Sequence, residues 1–334
     1  MADPGAMSTG RILFGGDVML GRMVKEAIAH CGAAYPLAPV SALMRRADLT
    51  VVNLECAITA SSRLWRGTPK AFYFGAPPQA ADTLAAAGVD IVSLANNHTL
   101  DYDLEGLRDT LDVLDQHGIL HTGAGEDRRQ AARPAIVRRG GLTMGMIAFC
   151  DHQKDFAAQD NRPGIAYLDF EEPAAISALE AALAPLQRAG IDWPVLSLHW
   201  GPNMVSKPSS AFRHIAHAAI DMGWRILFGH SAHVFHGIEI YRGCPVIYAA
   251  GDLVDDYYVD PVFRNDCLLL FELSLGPAGL DRIDLYPVLI RNCQARHATG
   301  ETFDAIVQSM TMRCADMGTP VMRDGAAAWI AVSP

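Results

Sequence analysis

Five short polar clusters stand at the ends of hydrophobic runs, and they contain the residue types that bind metal ions. Each cluster follows a strand-like stretch of the chain. The carboxyl ends of strands in an α/β sheet meet in one crevice, so we expect these distant residues to be neighbours. Carboxylates, amides and imidazoles together suit a divalent metal ion. The clusters are Gly16-Asp17, Asn53-Leu54-Glu55, Asn96-Asn97-His98, His199-Trp200-Gly201 and Gly229-His230-Ser231-Ala232-His233.

Taken singly, most of these clusters have a structural explanation. Asp17 could cap a helix, Asn96 and Asn97 could form a turn, and His199 could be a histidine satisfied in the core. Glu55 is different, because a carboxylate on a buried strand is costly unless it is paired or bound to a metal. Packing does not readily explain five such clusters at five strand ends, and their coincidence predicts a metal site.

Composition limits the class of protein. The chain has 334 residues, of which 50% are hydrophobic, and a formal charge of −10, so a general nucleic-acid surface is not expected. Seven widely spaced cysteines without a CxxC pair favour a reduced, cytoplasmic protein. No apolar run reaches the roughly 18–20 residues of a membrane anchor. We interpret residues 1–7 as a cloning remnant and residues 8–334 as one domain.

The elements that must position the clusters alternate between strands and helices in the N-terminal half. Strand RILFGGD, a helix near residues 22–30, strand LTVVNLE, a helix over 78–87, a strand over 89–94 and a helix over 103–116 form a βαβαβα series. This order predicts parallel pairing. After a hairpin at residues 135–149 and further strands and helices, the segments beyond residue 234 read as antiparallel strands, with a helix over 301–314 closing the chain.

Several segments of the chain resemble the CapA family of bacterial capsule and poly-γ-glutamate synthesis, a branch of the calcineurin-like metallophosphoesterase superfamily. The segments that match are GGDVMLGR, NLECAIT, SLANNHTLDY, HTGAG, SLHWGPN, GHSAHVFHGIEIYRGCPVIYAAGD and LYPVLI. The resemblance implies an α/β (α+β) fold, a four-layer αββα sandwich of the calcineurin-like metallo-dependent phosphatase type. It also implies a centre of one or two divalent ions, with Mn, Zn, Mg, Ca and Fe left open. The ligands that it implies are Asp17, Glu55, Asn97, His199, His230 and His233.

The resemblance gives Glu55 the role of bridging carboxylate and His98 that of an acid or base beside the metal. The chain also departs from the superfamily pattern. Met19 stands where an Asp-x-His opening has its histidine, and Glu55 replaces the usual bridging Asp. These departures loosen the link between the metal site and phosphate chemistry.

Two reactions therefore stay open. A divalent ion can activate water for hydrolysis of a phosphoester, or polarise a carbonyl so that a proton leaves the neighbouring carbon. CapA-like proteins without an anchor also resemble the peptide epimerases encoded with lasso-peptide precursors, which invert a C-terminal residue of a ribosomal peptide. That resemblance implies a precursor peptide as the substrate, with His98 and Asp17 as bases on opposite faces of the carbon. Phosphorylated or polyglutamate substrates are the alternatives.

Two further segments are candidate substrate-binding surfaces. Arg63 and Trp65 belong to a basic, aromatic loop that could hold a carboxylate. Asp252, Tyr257 and Tyr258 belong to an acidic, aromatic stretch, in which the tyrosines could stack on a substrate side chain. Asp252 is equally open to the interpretation of a carboxylate near the metal or a loop cap.

Overall fold

Two β-sheets in face-to-face contact form the centre of the computed structural model, which describes residues 7–332. Helices cover the outer face of each sheet, so the layers follow the order helix, sheet, sheet, helix. This is the four-layer αββα sandwich that the sequence predicts. Residues 1–6, which make up most of the interpreted cloning remnant, and residues 333–334 lie outside the described range.

The described residues contain eight α-helices and twenty strands. The helices α1–α8 are Arg22–Cys31, Ser41–Met44, Ala81–Ala87, Asp103–Gln116, Arg128–Ala131, Ala174–Arg188, Ser210–Met222 and Gly300–Ala315. Strands β1–β10 are Gly10–Val18, Leu49–Leu54, Ala57–Ile58, Gly75–Ala76, Ile91–Ser93, Leu120–Thr122, Ala124–Gly125, Ala135–Arg139, Leu142–Cys150 and Gly164–Ile165. Strands β11–β20 are Trp193–His199, Ile226–His230, Ile238–Tyr241, Cys244–Ile247, Asp252–Val254, Cys267–Gly276, Gly279–Ile290, Ala295–His297, Met322–Asp324 and Ala327–Ala331.

The first sheet has the strand order β19-β20-β17-β16-β1-β2-β5-β6. β1, β2, β5 and β6 run parallel, as the alternation of strands and helices predicts. The strands on the other side of β1 are antiparallel. The short strand β15 pairs in parallel with the end of β1 and aligns Asp252 with Asp17.

The second sheet has the order β13-β14-β12-β11-β9-β8. Its central strands β9, β11, β12 and β14 are parallel, and hairpins close both edges. The β8–β9 hairpin turns at Gly140 and Gly141, whose φ angles of +60° and +90° suit glycine. His199 and His230 end adjacent strands and are register partners.

Side chains alternate between the two faces of each strand. One face packs into the core between the sheets, and the other packs against the helices outside. Along β1, Ile12 and Phe14 enter the core between the sheets, whereas Leu13 packs with the helices outside. The Phe14 ring lies 4.9 Å from the Phe228 ring of the second sheet. On the outer face of that sheet, Leu196 packs in the core formed with α6 and α7.

Two elements differ from the sequence-based expectation. The chain continues past α8 into the β19–β20 hairpin, which joins the first sheet through β17, so α8 is not the last element. The segment Asp252–Val254, at the start of the acidic, aromatic stretch, is the strand β15, and it pairs with β1 in parallel rather than antiparallel. β15 and β19 have three residues each and β20 has five, and such short strands carry a weak periodic signal.

No helix within residues 7–332 combines the length and the apolar character that crossing a membrane requires. The division into one domain over residues 8–334 stays a prediction.

The close approach of β1 to the segment before β15 leads to a stability prediction. Gly16 lies against the backbone of Gly251, and a methyl group on Gly16 would collide with the Gly251 carbonyl oxygen. Because a backbone atom cannot move aside cheaply, we expect Gly16→Ala to lower the free energy of unfolding by about 1–3 kcal/mol or more. Denaturant unfolding measures the loss. Gly10→Ala, in the same strand with its nearest atoms at 3.4 Å, is the control. Equal stability of the two variants would contradict the packing argument.

Candidate metal centre

Five of the six predicted ligands come together where strands of both sheets end. Asp17 comes from β1, His199 from β11 and His230 from β12, and the loops after β2 and β12 carry Glu55 and His233. All but His233 are buried, and His233 is half-buried. The convergence at strand ends that the sequence predicts is therefore present in the fold.

Asp17, His199 and His230 form the first group that could hold a metal ion, since one ligand atom from each lies within 4.8 Å of the others. The Nδ1 atoms of His199 and His230 are 2.8 Å apart, and the Nδ1 atom of His230 is 3.5 Å from a carboxylate oxygen of Asp17. The hydroxyl of Ser197 lies 3.0 Å from the other ring nitrogen of His230. Ser197 can accept the proton there, which leaves the Nδ1 lone pair for a cation.

Asp17, Glu55, His233 and Asp252 form the second group within the same distance limit. Asp17 belongs to both groups, and Asn53 Nδ2 (2.7 Å) and the Ser231 backbone N–H (3.2 Å) donate hydrogen bonds to it. His233 Nδ1 lies 2.9 Å from Asp252 Oδ1. Two groups with a shared carboxylate could accept one ion or two.

The carboxyl groups repel one another in the metal-free protein. Burial, and then the charge of Asp252, raises the pKa of Asp17 to about 7, and burial raises the pKa of Asp252 to about 8. Burial with the charges of Asp17 and Asp252 raises the pKa of Glu55 well above its usual range. The pKa of Asp255 is raised in the same way, by burial and by Asp252. A nearby cation would remove this cost.

Burial keeps the imidazoles of His199, His230 and His233 in the neutral form, which is the form that binds a metal ion. Burial lowers the pKa of His230 to about 3, and burial followed by the charge of His230 lowers that of His199 well below its usual value. Burial also lowers the pKa of His233. Neutral imidazoles bind a cation without first releasing a proton. Glu55 Oε2 and Asp252 Oδ2 are buried oxygen atoms without a hydrogen-bond partner, so the residues fit a divalent ion.

Asn97, the amide ligand implied by the resemblance, is half-buried, and its side-chain oxygen is also without a partner. The neighbouring Asn96 has a structural role instead. Its Nδ2 donates to Asn53 Oδ1 (3.1 Å) and to the backbone oxygen of Leu54 (2.8 Å). The free oxygen of Asn97 therefore suits a metal ligand better than the hydrogen-bonded amide of Asn96.

His98 lies beside the second group in a fixed orientation. Its Nδ1 is 2.6 Å from Asp101 Oδ2, and its Nε2 is 4.0 Å from Glu55 Oε1. The ring stacks on Phe74 with centroids 3.9 Å apart. Asp101 also contacts the buried ammonium of Lys70, so a charged Asp101 accepts the Nδ1 proton and leaves Nε2 as the basic nitrogen. Burial lowers the pKa of His98 to about 4.

The predicted substrate-binding residues are divided between the centre and the surface. Asp252 belongs to the second ligand group, which favours the metal interpretation over the loop cap. The Tyr257 ring lies 5.1 Å from His233 and 5.7 Å from Phe74, and its buried hydroxyl has no partner. By contrast, the side chain of Tyr258 is 82% exposed.

The basic, aromatic loop has its two predicted residues in different environments. Arg63 is exposed, whereas Trp65 is half-buried. The Trp65 indole N–H donates to Asp155 (3.0 Å), and its ring packs edge-on against Phe156 at 4.9 Å. Trp65 is thus part of the contact between two loops, and its role towards substrate stays a prediction, like that of Arg63.

Sequence reasoning missed the partners of the candidate ligands. Asp101 stands three residues after His98, a spacing that could have suggested the pair. Lys70 comes from a loop with no pattern that points to it. The contact pair Asp151–His152, whose imidazole lies 5.6 Å from that of His199, follows the buried strand β9. Their position directly after a buried strand was the signal that could have identified Asp151 and His152 from the sequence.

Comparison with known proteins gives a family. The family model described as "Bacterial capsule synthesis protein PGA_cap" matches residues 11–257. The chain is 30% identical to the "Probable polyglutamine synthesis accessory protein" of Mycobacterium tuberculosis, with 85% of each chain covered. It is 29% identical to the "PGA biosynthesis protein CapA" of Bacillus subtilis, over 82% of this chain and 70% of the relative.

A solved structure shares the fold. It is a hypothetical protein from Thermus thermophilus, 16% identical, with a TM-score of 0.50 over 83% of this chain and 98% of that one. At this identity the likeness concerns the fold alone.

The raised pKa of Asp252 predicts how stability depends on pH when metal is removed. Between its ordinary pKa of 3.8 and its folded pKa of about 8, Asp252 holds its proton in the folded protein and loses it on unfolding. The free energy of unfolding should therefore fall as pH rises through this window. We expect Asp252→Asn, which cannot ionise, to show a shallower fall in denaturant titrations with EDTA from pH 5 to pH 9.

The matched control is Asp160→Asn, since the side chain of Asp160 is 89% exposed. Its pH profile should follow that of the unmodified protein. If the free energy of unfolding of Asp252→Asn fell with pH as steeply as that of the unmodified protein, the argument that burial raises the pKa of Asp252 would be refuted.

Proposed function

The chain belongs to the PGA_cap family of bacterial capsule synthesis proteins, and from that premise we propose that it is a metal-dependent peptide epimerase. It would invert the Cα of a C-terminal residue in a ribosomal precursor peptide, as in lasso-peptide biosynthesis. The cofactor is one divalent ion or two. Asp17, Glu55, Asn97, His199, His230 and His233 would hold it, with Asp252 as a further carboxylate.

The acidity of the centre is the observation that carries the proposal. Asp17, Glu55, Asp252 and Asp255 bring four buried carboxyl groups together, and the nearby ammonium of Lys70 is already paired with Asp101. A phosphate ester carries up to two negative charges and would be repelled by groups that a metal does not neutralise. The carboxylate of a C-terminal residue carries a single negative charge and meets less repulsion. This difference favours proton transfer beside a carbonyl.

Acid/base groups are available for both steps of an inversion. A divalent ion, when bound, would polarise the substrate carbonyl and so acidify the neighbouring Cα–H. His98 Nε2, fixed by Asp101, is one candidate base, and Asp17 is the other. One group removes the Cα proton, and the other donates a proton to the opposite face, so no oxidant or co-reactant is consumed.

Two features support a cytoplasmic enzyme acting on peptides. All seven cysteines are free, which is typical of a reducing compartment. Tyr257 and Phe74 provide aromatic surface next to His98 and His233, which suits a peptide side chain. We place the whole activity in residues 8–334.

Proton exchange at Cα tests the epimerase directly. Candidate precursor peptides incubated in D₂O with metal-loaded protein should gain deuterium at a single Cα, measured by mass spectrometry. We expect His98→Ala to slow exchange by about 10²–10⁴-fold, the usual contribution of one acid/base group, while its metal content stays unchanged. Asp17→Ala should lose both metal and exchange.

The control is His30→Ala, since His30 is exposed on α1. It should exchange at the rate of the unmodified protein. Absence of exchange with every candidate peptide, in protein whose metal content has been verified, would exclude the epimerase.

A metal-dependent phosphoesterase is the second candidate function. Two ligand groups that share Asp17 suit a two-ion centre, and His98 beside them would protonate the leaving group after taking up a proton at Nε2. Hydrolysis of aryl phosphates tests it. Rapid metal-dependent release of phosphate that His98→Ala slows, without Cα exchange in peptides, would favour the phosphoesterase. A phosphate release rate no higher than that of metal alone would exclude it.

The names of the relatives, among them a "Capsule biosynthesis protein CapA" and a "PGA biosynthesis protein CapA", support a third candidate, a role in capsule or polyglutamate biosynthesis. A polyglutamate chain has a carbonyl carbon next to each Cα, so the same centre could act on it once a bound ion neutralises the buried carboxyl groups. Including polyglutamate among the D₂O substrates separates this substrate from a ribosomal peptide.

A further inference from the structure

A small cavity lies between α8 and the segment that leads into β16. Its volume is about 210 Å³, below the roughly 300–1,000 Å³ that is typical of pockets for drug-sized molecules. We call it the Arg313 cavity. None of the six predicted metal ligands lines it, so it is a site apart from the metal centre.

The lining of the Arg313 cavity combines positive charge with apolar surface. Arg264 and Arg313 contribute the charge, and no Asp or Glu among residues 7–332 lines the cavity. Its apolar part includes Phe263, which is half-buried, and Val262, which is 84% exposed. This lining contrasts with the whole chain, whose formal charge is −10. An anion that carries an apolar group would complement both parts.

The guanidinium of Arg313 is half-buried, and no carboxylate in the described part of the chain compensates its charge. Its Nη1 donates to the carbonyl oxygen of Phe235, and the group lies over the Phe235 ring at 4.6 Å. Burial lowers the pKa of Arg313. By contrast, Arg213, also half-buried, lies 3.0 Å from Glu239. A partly desolvated cation without an anion is costly, so binding of an anion would be favourable.

Arg313 is accessible to a ligand. Within residues 7–332, its Nε and Nη2 atoms have no hydrogen-bond partner, and neither of them is sealed from solvent. The same two atoms of Arg264 hold a carboxylate, that of Asp266, at 2.8 and 2.9 Å. A carboxylate can accept two parallel hydrogen bonds from this edge of a guanidinium. Because Arg264 is already paired, Arg313 is the group that lacks a partner.

Ser309 gives the cavity a further donor. It lines the cavity four residues before Arg313 on α8 and is half-buried. Residues four apart share one face of a helix, so the Ser309 hydroxyl and the Arg313 guanidinium face the same side. An inorganic phosphate could accept from both but would leave the apolar surface uncovered. A carboxylate on a hydrocarbon group would cover it.

We propose that the Arg313 cavity binds a carboxylate that is carried on a short hydrocarbon or aromatic group. The carboxylate accepts hydrogen bonds from Nε and Nη2 of Arg313, and the apolar group covers Val262 and Phe263. The C-terminal carboxylate of a peptide and that of a free small acid share this chemistry. The site shares no residue with the metal centre, so the inference does not depend on the proposed reaction.

Isothermal titration of the metal-loaded protein with 3-phenylpropanoate tests the cavity. The comparison probes are the neutral 3-phenylpropanamide, acetate and inorganic phosphate. We expect 3-phenylpropanoate to bind at least about tenfold more tightly than its amide, because hydrogen bonds to a charged group are strong. It should exceed acetate by a similar factor, because acetate lacks the apolar group. Equal affinity of acid and amide, tighter binding of phosphate, or no saturable binding of the acid would overturn the proposal.

Two substitutions at Arg313 test the anchor. Arg313→Gln removes the charge but keeps a polar side chain, and it should abolish the preference for the acid over the amide. Arg313→Lys should restore part of that preference, since it returns the charge without the two-donor edge. The matched control is Arg296→Gln, at an exposed arginine of β18, which should bind as the unmodified protein does.

A third substitution tests the cavity without touching the anchor. Ala305 is exposed on α8 and lines the cavity, so Ala305→Phe should occupy it and weaken binding of 3-phenylpropanoate by at least about tenfold. Thermal unfolding confirms that each variant is folded. Unchanged binding in folded Arg313→Gln or Ala305→Phe would place the carboxylate elsewhere, for example on the metal ion, and refute the site.

N-acetyl-phenylalanine separates the two sources of the carboxylate. Its acetamide group mimics the peptide bond before a C-terminal residue. Binding tighter than that of 3-phenylpropanoate, and lost in Arg313→Gln, assigns the cavity to the end of a peptide. Equal or weaker binding assigns it to a free small acid.

Discussion

The repulsion among buried carboxyl groups is the constraint on which this molecule depends. Asp17 sits where the two ligand groups overlap, and its neighbours Glu55 and Asp252 are buried with it. Without a cation these groups keep their protons at a pH where exposed acids have lost them. The neutral imidazoles around them cannot compensate the charge. Binding of a divalent ion would therefore contribute to the stability of this region as well as to its chemistry.

The scaffold creates this unfavourable cluster by bringing backbones unusually close together. Gly16 lets β1 approach the segment before β15, so that Asp252 stands in register with Asp17. The adjacent parallel strands β11 and β12 align His199 with His230. Apolar side chains on both faces of the two sheets supply the burial free energy that offsets the repulsion. Local strain at the centre is thus supported by packing elsewhere.

The convergence of candidate ligands at the strand ends could be predicted from the sequence, whereas most of their partners lie in loops without a strong pattern. Buried parallel strands appear as apolar runs, so a polar residue at the end of each run identifies the crevice. Asp101 and Lys70 orient His98 from loops, where no periodicity links sequence to position. The same limit applies to the short strand β15, whose pairing with β1 depends on tertiary contact. The sequence also could not predict exposure within the aromatic stretch after β15, where Tyr257 is half-buried and the neighbouring Tyr258 is exposed.

The centre takes ligands from both sheets, and this has a consequence for the cohesion of the fold. Asp17 lies in the first sheet and Glu55 directly follows β2 of that sheet, whereas His199 and His230 lie in the second sheet. A bound ion would therefore act as a cross-link between segments far apart in the chain. Such a cross-link opposes local opening of the seam between the sheets, and it does so only at the edge where the ion sits. The opposite edge is joined by hydrogen bonds between the sheets, from the Trp193 indole N–H to the Ser8 carbonyl oxygen at 2.7 Å and from the Ser8 backbone N–H to Asp192 at 3.0 Å, and by the ion pair of Arg139 with Asp90. Loss of the ion would then loosen the contact between the sheets at the centre while the opposite edge stays closed.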